Sequence, residues 1–304
     1  MNRILVTGGA GYIGSYLVKK LINLKFNVTV IDNLMFNQKN NFLIKKNNLN
    51  FINGDVRDKK LVKEYVNKND IIIPLAGIVG APLSEKMPAE TKQVNENAIR
   101  YMSSICSKDH LIIMPVSNSG YGIGKKNKFC DEKSPLKPIS LYGRTKVAAE
   151  KIIMRRKNSI SFRLATVFGV STERMRTDLM VNNFTYLAFK KKKFKLYQPN
   201  FRRNFIHISD ISKAFIFSIK NFEKLKGNIF NLGLNKANLT KLDLCKKIKN
   251  FLPKFEFVIS YDQTDPDQRD YFVSNKKINN NGFEAKYSLD KGIKELIKYY
   301  KNNK

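Results

Sequence analysis

Tyr142 and Lys146 stand four residues apart at the start of a helix-like stretch, and residues at i and i+4 share one helical face. An ammonium beside a phenol favours the phenolate, so the spacing predicts a Tyr142 pKa below its reference of about 10. A phenolate so placed can accept the proton of a sugar hydroxyl while hydride leaves the same carbon for a nicotinamide. The lysine can also bond the nicotinamide ribose. Taken alone, the pair is equally what a packing aromatic and a solvated lysine leave in a sequence. Ser117 supplies a third group, closing the apolar run 111–116 and preceding Tyr142 by 25 residues. A hydroxyl there can bond the reacting oxygen and steady the phenolate; otherwise it caps its own loop.

Such chemistry needs a dinucleotide site, and the opening of the chain has the pattern of one. An apolar run at 4–6 leads into Gly8, Gly11 and Gly14 at G-x-x-G-x-x-G spacing, with helical periodicity over 16–24. In a strand–turn–helix reading the first glycine permits the tight turn and the second lets backbone approach a pyrophosphate. The third lets the helix sit close on the strand, and the helix N-terminus faces the phosphate charge. A second apolar run, 28–31, ends in Asp32, 18 residues beyond Gly14. A carboxylate there takes the ribose hydroxyls of NAD and repels an NADP phosphate; a structural strand-end Asp is the plain alternative. Asp55 and Val56, after the third strand, are placed to meet the adenine. Leu75, Ala76 and Gly77 end the fourth strand and let the chain pass close to the dinucleotide.

The elements that must position these residues follow from the hydrophobic pattern. Strand-like runs at 3–7, 27–31, 49–53, 70–75, 111–116 and 160–165 alternate with helical stretches. This predicts an α/β fold, a Rossmann-type doubly wound parallel sheet with helices on both faces. After Phe168 the pattern loosens into short strands, turns and helices over 170–205 and 229–285, with a helix at 207–222 between them. We expect an NAD-binding domain of 1–168 plus 204–228. A smaller interleaved C-terminal lobe for substrate is expected over 169–203 and 229–304.

With 304 residues, 42% of them hydrophobic, the chain can bury a large core. It holds no apolar run of about 18 residues, so no membrane span is expected. The start runs directly into a strand, leaving no room for a signal peptide. Cys106, Cys130 and Cys245 are odd in number and widely spaced, which suits a reducing cytoplasm and suggests neither a disulfide framework nor a metal site. The net charge of +31 is spread along the chain beside abundant Asn and Ile. Its densest run, 190–193, reads as a solvated helix end, and no zinc-finger or RNP motif accompanies it. No nucleic-acid partner is expected; attraction of anionic nucleotide substrates is the more modest consequence.

Taken together, the stretches 7–14, 32–34, 54–56, 117–122, 142–146, 163–169, 203–210 and 231–233 resemble the extended short-chain dehydrogenase/reductases. Within these the chain is similar to the NAD-dependent nucleotide-sugar epimerase/dehydratase family over nearly its full length. The resemblance implies that Ser117, Tyr142 and Lys146 form a catalytic triad, that Asn95 supports the site from a helix, and that Tyr12, Ile13 and Asn33 join the cofactor site. It also implies substrate contacts from Asn118, Ser119, Arg174, Arg176 and Asn183, with Arg203 and Arg269 on the substrate diphosphate. The guanidinium fork suits phosphate oxygens, although either arginine would serve equally as a surface ion-pair partner. Relatives that act as 4,6-dehydratases carry Asp-Glu directly after the triad hydroxyl, where this chain has Asn118-Ser119. An amide and a hydroxyl do not perform that acid–base work at neutral pH, so dehydration is disfavoured.

A nearer likeness lies in 71–82, in 118–124, in Arg174-Met175-Arg176-Thr177-Asp178-Leu179 and in 265–271. These stretches resemble GDP-heptose 4-dehydrogenases, implying a GDP-linked rather than UDP- or dTDP-linked sugar and a cofactor held through turnover. Thr172 and Glu173 precede Arg174 in a loop expected to touch the sugar. The resemblance further implies a homodimer or dimer of dimers built on the helices at 90–107 and 142–156. The expected function is therefore NAD-dependent oxidation at C4 of a nucleotide-linked sugar. A nucleotide-sugar 4-epimerase is the rival within the class, and a non-catalytic NAD-binding protein is the rival outside it.

Overall fold

The computed structural model describes residues 3–37, 47–125, 128–262 and 268–303. Its centre is a sheet whose strands are short runs of Ile, Leu and Val, as expected of strands covered on both faces. Five of them are β1 (Arg3–Thr7), β2 (Asn27–Asp32), β3 (Leu49–Asn53), β4 (Ile71–Pro74) and β5 (Leu111–Ser117). Two more, Ser159–Leu164 and Asn228–Leu232, complete a seven-stranded sheet in the order Asn228–Leu232, Ser159–Leu164, β5, β4, β1, β2, β3. Every neighbouring pair is parallel. The doubly wound sheet expected from the alternation is the one observed. Strand order reverses between β1 and β4, and in open parallel sheets a crevice forms beyond the carboxyl ends at such a point. Register aligns Thr7 with both Ile31 and Pro74, so Gly8, Asp32 and Leu75 emerge side by side at that edge.

Alternation along β1 divides the core. Ile4 and Val6 join the cluster holding Leu17, Val18 and Leu21 of α1 (Tyr12–Asn23), while Leu5 faces the opposite cluster with Ile72, Met102 and Ile112. The expected helix at 207–222 is Ile208–Lys220, with His207 as its N-cap, and packs beside α1. On the other face the expected helix at 90–107 runs through Pro88–Lys92, Gln93–Asn97 and Ala98–Ile105, the middle segment wound as a π-turn. The expected helix at 142–156 is Leu141–Ile153.

The expected partition placed residues 229–232 in the smaller lobe. Asn228–Leu232 pairs with Ser159–Leu164 as an edge of the main sheet. A five-residue run carries no mark of its partner, because the pairing spans a large sequence separation. The remaining strands build small sheets: Thr166–Phe168, Arg202–His207 and Asn238–Thr240 form one, Lys193–Leu196 and Glu256–Ile259 another, Phe129–Cys130 and Phe272–Val273 a third. Of the stretch 265–271, residues 265–267 lie outside the described part. All three cysteines are buried free thiols. Among the described residues no helix is long and apolar enough to cross a membrane, and no group of side chains could hold a metal ion.

Candidate active site

The glycine loop has the shape that its spacing predicts. Gly8 sits at φ +71°, and a Cβ there would lie 2.5 Å from the Ala76 nitrogen, so both conformation and crowding require glycine. A Cβ on Gly14 would strike the Gly8 carbonyl and Gly9, which is what allows α1 to rest on the turn. A Cβ on Gly11 would meet little besides the Gly8 oxygen at 3.1 Å and an Arg174 Nη1 at 3.8 Å. Gly11 caps α1 without a side-chain acceptor, and no acid stands in the first turn. Its unpaired N–H groups and the positive end of the helix are therefore left to an anion. These features line a groove of about 540 Å³, open to solvent, together with Asp32, Val56, Ala76 and Gly77. A dinucleotide's diphosphate fits this cradle.

Several expected cofactor residues have other duties as well. Asp32 accepts hydrogen bonds from the backbone N–H groups of Ala10 (3.0 Å) and Leu34 (2.9 Å), tying the glycine loop to the end of β2. Asp55 receives Arg57 Nε, Nη2 and backbone N–H, and Asn33 Nδ2, all within 2.8–2.9 Å. Those contacts, Arg57 foremost, hold its pKa at about 2. A carboxylate has about four lone-pair positions, and these four donors occupy those of Asp55. Asp55 nonetheless lines the groove beside Val56. The Tyr12 phenol donates to the Gly169 carbonyl (2.6 Å) and is buried, which raises its pKa. Ile13 packs on the core.

Asn95 owes its position to the π-turn, a winding frequent at functional sites. Fully buried, it accepts from the Ile78 N–H and donates to the Ile78 carbonyl, both at 2.9 Å. It thereby fixes the backbone after Leu75 and Ala76. A Cβ on Gly77 would stand 3.0 Å from Asn95 Oδ1 and 3.4 Å from Lys146 Nζ, so the lysine amine reaches the groove at Gly77.

The helix bearing Tyr142 and Lys146 begins at Ser140, whose hydroxyl accepts the Gly143 N–H at 3.2 Å. Ser117, at the end of β5, lies against the Tyr142 phenol, an interaction favouring the phenolate. It also accepts the Ser119 N–H at 3.1 Å, so it serves as a loop cap in addition. The expected pairing of charges is not what governs these groups. Burial raises the Tyr142 pKa, and the charges that oppose it are Arg269 and Arg176 rather than Lys146. Burial pulls Lys146 down to about 8. Sharing a helical face did not produce an ion-paired phenolate, because both groups left water together.

The expected substrate residues divide. Asn118 and Ser119 are about 1% exposed, and neither the Asn118 amide atoms nor the Ser119 hydroxyl has a hydrogen-bond partner among the described residues. Buried polar atoms in that state await a ligand or water. Arg269 and Arg176 reach the Tyr142 phenol electrostatically, with Arg176 paired to Asp178 at 2.5 Å. Arg203 is fully buried and donates to the carbonyls of Arg202 and Arg269. Its guanidinium thus sits beneath the Arg269 backbone. Asn183 is partly buried in the first turn of Met180–Lys190. Its neighbour Asn182 carries the network instead, bonding the Gly169 N–H (3.1 Å) and the Arg176 carbonyl (2.9 Å). Glu173 pairs with Lys19 of α1 at 2.5 Å. Arg174 lies in the dinucleotide groove. Asn182 was missed because a polar residue inside a helix gives no sequence sign of burial, and Arg57, which is exposed, because nothing in the sequence marks Asp55 as its partner.

A family model described as the NAD dependent epimerase/dehydratase family matches residues 4–233. A human dTDP-D-glucose 4,6-dehydratase is 27% identical over 99% of this chain and 91% of its own. A UDP-glucose 4-epimerase of Lactobacillus helveticus is 28% identical over 81% of each chain. The solved structure of Thermus thermophilus UDP-glucose 4-epimerase in complex with NAD shares the fold, with a TM-score of 0.83 at 21% identity, covering 98% of this chain and 99% of that one.

Proposed function

Because the chain belongs to the NAD dependent epimerase/dehydratase family, and is thus an NAD-dependent enzyme acting in nucleotide-sugar chemistry, we propose that it oxidises C4 of a nucleotide-linked sugar. NAD, when bound, supplies the acceptor for the hydride leaving that carbon. The observation that carries the reading is that Ser117, at a strand end, lies against the Tyr142 phenol, while Lys146 of the same helix as Tyr142 reaches Gly77 in the cofactor groove. In its phenolate form, which Arg269, Arg176 and the Ser117 hydrogen bond favour against burial, Tyr142 takes the proton of the C4 hydroxyl, and Ser117 bonds the same oxygen. Lys146, at Gly77, orients the cofactor ribose, and Asn95 holds the backbone against which both rest. The glycine loop would hold the cofactor diphosphate, and Asp32 the adenosine ribose.

Asn118 and Ser119 support oxidation without dehydration, since neither can act as an acid or base on a neighbouring carbon. Their unsatisfied buried atoms suit hydroxyls of a sugar that is bound and released as a ketone. On this reading the enzyme is a GDP-heptose-type 4-dehydrogenase, with Arg269 and Arg176 on the sugar diphosphate. The second reading, 4-epimerisation, is favoured by relatives named UDP-glucose 4-epimerase; it needs the hydride returned to the other face of the same carbon. We further assign the strand Asn228–Leu232 to the NAD-binding domain. Incubating the purified enzyme with GDP- and UDP-sugars and following the products by NMR separates the readings. A 4-keto sugar from a GDP-sugar is expected, a C4 epimer identifies the rival, and a 4-keto-6-deoxy sugar contradicts both.

A further inference from the structure

Arg174 was expected at the sugar nucleotide, yet it lies across the other ligand's groove. Its segment follows Thr166–Phe168 and is strapped to α1. The Tyr12 hydroxyl bonds the Gly169 carbonyl at 2.6 Å, Ser15 and Ser171 share a hydrogen bond at 3.0 Å, and Lys19 pairs with Glu173 at 2.5 Å. So held, the Arg174 side chain lines the groove with Gly8, Gly11 and Asp32. One Nη1 comes within 3.8 Å of where a Gly11 Cβ would be, and the guanidinium stacks 3.7 Å from the Phe36 ring centroid. Gly11 is the residue whose missing side chain lets a diphosphate approach the start of α1.

We propose that Arg174 binds the cofactor rather than the sugar nucleotide, giving the NAD diphosphate a cation that α1 and the glycine loop lack. The first turn of α1 carries no basic side chain: it reads Tyr12, Ile13, Gly14 and Ser15. Backbone amides alone would face a doubly charged diphosphate, and a guanidinium fork matches its oxygens. The surroundings of Arg174 agree. Burial and the charge of Arg176 pull its pKa down to about 10, against the smaller opposing pull of Asp178 and Asp32, so an added anion would relieve it. Stacking on Phe36 fixes the plane of the guanidinium at the groove. The consequence reaches beyond binding, because a segment outside the main sheet then helps to retain the cofactor.

The test is equilibrium binding of NAD, ADP-ribose, adenosine, GDP and UDP to the unaltered enzyme, to Arg174→Ala and to Arg174→Lys, with thermal unfolding of each. Arg174→Ala should weaken NAD and ADP-ribose alike, by about 10- to 100-fold, the size of a lost charge-assisted contact. Adenosine, GDP and UDP should bind as before, and Arg174→Lys should fall between. An unchanged ADP-ribose affinity, with or without a lowered melting temperature, would make Arg174 a structural partner of Phe36 and Asp32 and overturn the proposal. So would a loss of GDP or UDP affinity in place of ADP-ribose. Failure of the unaltered enzyme to bind ADP-ribose would remove the cofactor groove itself, an outcome distinct from either. The C4-oxidation reading is tested separately, by products.

Discussion

Lys146 carries its amine into the interior, where loss of water pulls its pKa from 10.5 down to about 8. Between those values the unfolded chain binds more protons than the folded one, so stability rises with pH across that window. The cost of the buried charge is fully present below about pH 8 and vanishes above about pH 10.5. Lys146→Met should therefore stabilise the cofactor-free protein near pH 7, by about 2–3 kcal/mol, with the gain shrinking as pH approaches 10.5. Urea denaturation at both pH values checks this; a variant no more stable near pH 7 contradicts it. The same burial explains what could be read at this scale and what could not. Tyr142, Lys146 and Ser117 were legible because i, i+4 spacing and a strand end fix where side chains point. Their protonation was not, because it depends on which other residues exclude water, and Arg269 and Arg176 come from remote parts of the chain.

The helix Leu141–Ile153 carries Tyr142 against Ser117 and Lys146 to Gly77, and what keeps it there lies one turn further on. Glu150 is buried and takes both Arg163 Nε and Nη2, with Nη2 to Oε1 at 2.7 Å, while Ser161 bonds its other oxygen at 3.1 Å. Arg163 in turn bonds the Tyr121 hydroxyl at 3.0 Å, which donates to Asn231 Oδ1 at 2.6 Å. The network joins the helix, two strands of the sheet and the loop after Ser117. Removing one charge strands the other, so Glu150→Ala should cost about 3–5 kcal/mol. Replacing the pair together, Glu150→Leu with Arg163→Met, should recover most of that loss. Chemical denaturation of the single and double variants decides it; equal losses would mean that the pair is not coupled. The strands were legible as apolar runs, and six fell where expected. The π-turn at 93–97 was not, since nothing in Gln-Val-Asn-Glu-Asn departs from ordinary helix chemistry until Asn95 finds the Ile78 backbone. Nor was the place of Asn228–Leu232 legible, which only the sheet decides.

At the scale of the whole molecule, the net charge of +31 acts on anything that approaches. Both a dinucleotide and a sugar nucleotide are anionic, so the protein's field should raise their rate of encounter and salt should suppress it. We expect kcat/KM for the sugar nucleotide to fall about three- to tenfold from low salt to about 0.5 M, with kcat nearly unchanged. Steady-state kinetics across ionic strengths measures this, and a flat kcat/KM contradicts it. The doubly wound sheet brings the glycine loop, the Gly77 backbone, β5 and the Tyr142 helix to one edge, and the order of motifs along the chain made that much legible. The seating of Arg174 and Arg203 was not, because it depends on how segments far apart in sequence close over the sheet. All of this converges on the Tyr142 oxygen as the group that takes the sugar proton. The most direct test is a single-turnover experiment with NAD-loaded enzyme and the accepted sugar nucleotide, following the near-ultraviolet absorbance of reduced nicotinamide in the unaltered protein and in Tyr142→Phe. The account predicts a rate lower by about 10²- to 10⁴-fold in the variant, with NAD affinity retained. Reduction at the unaltered rate would contradict it.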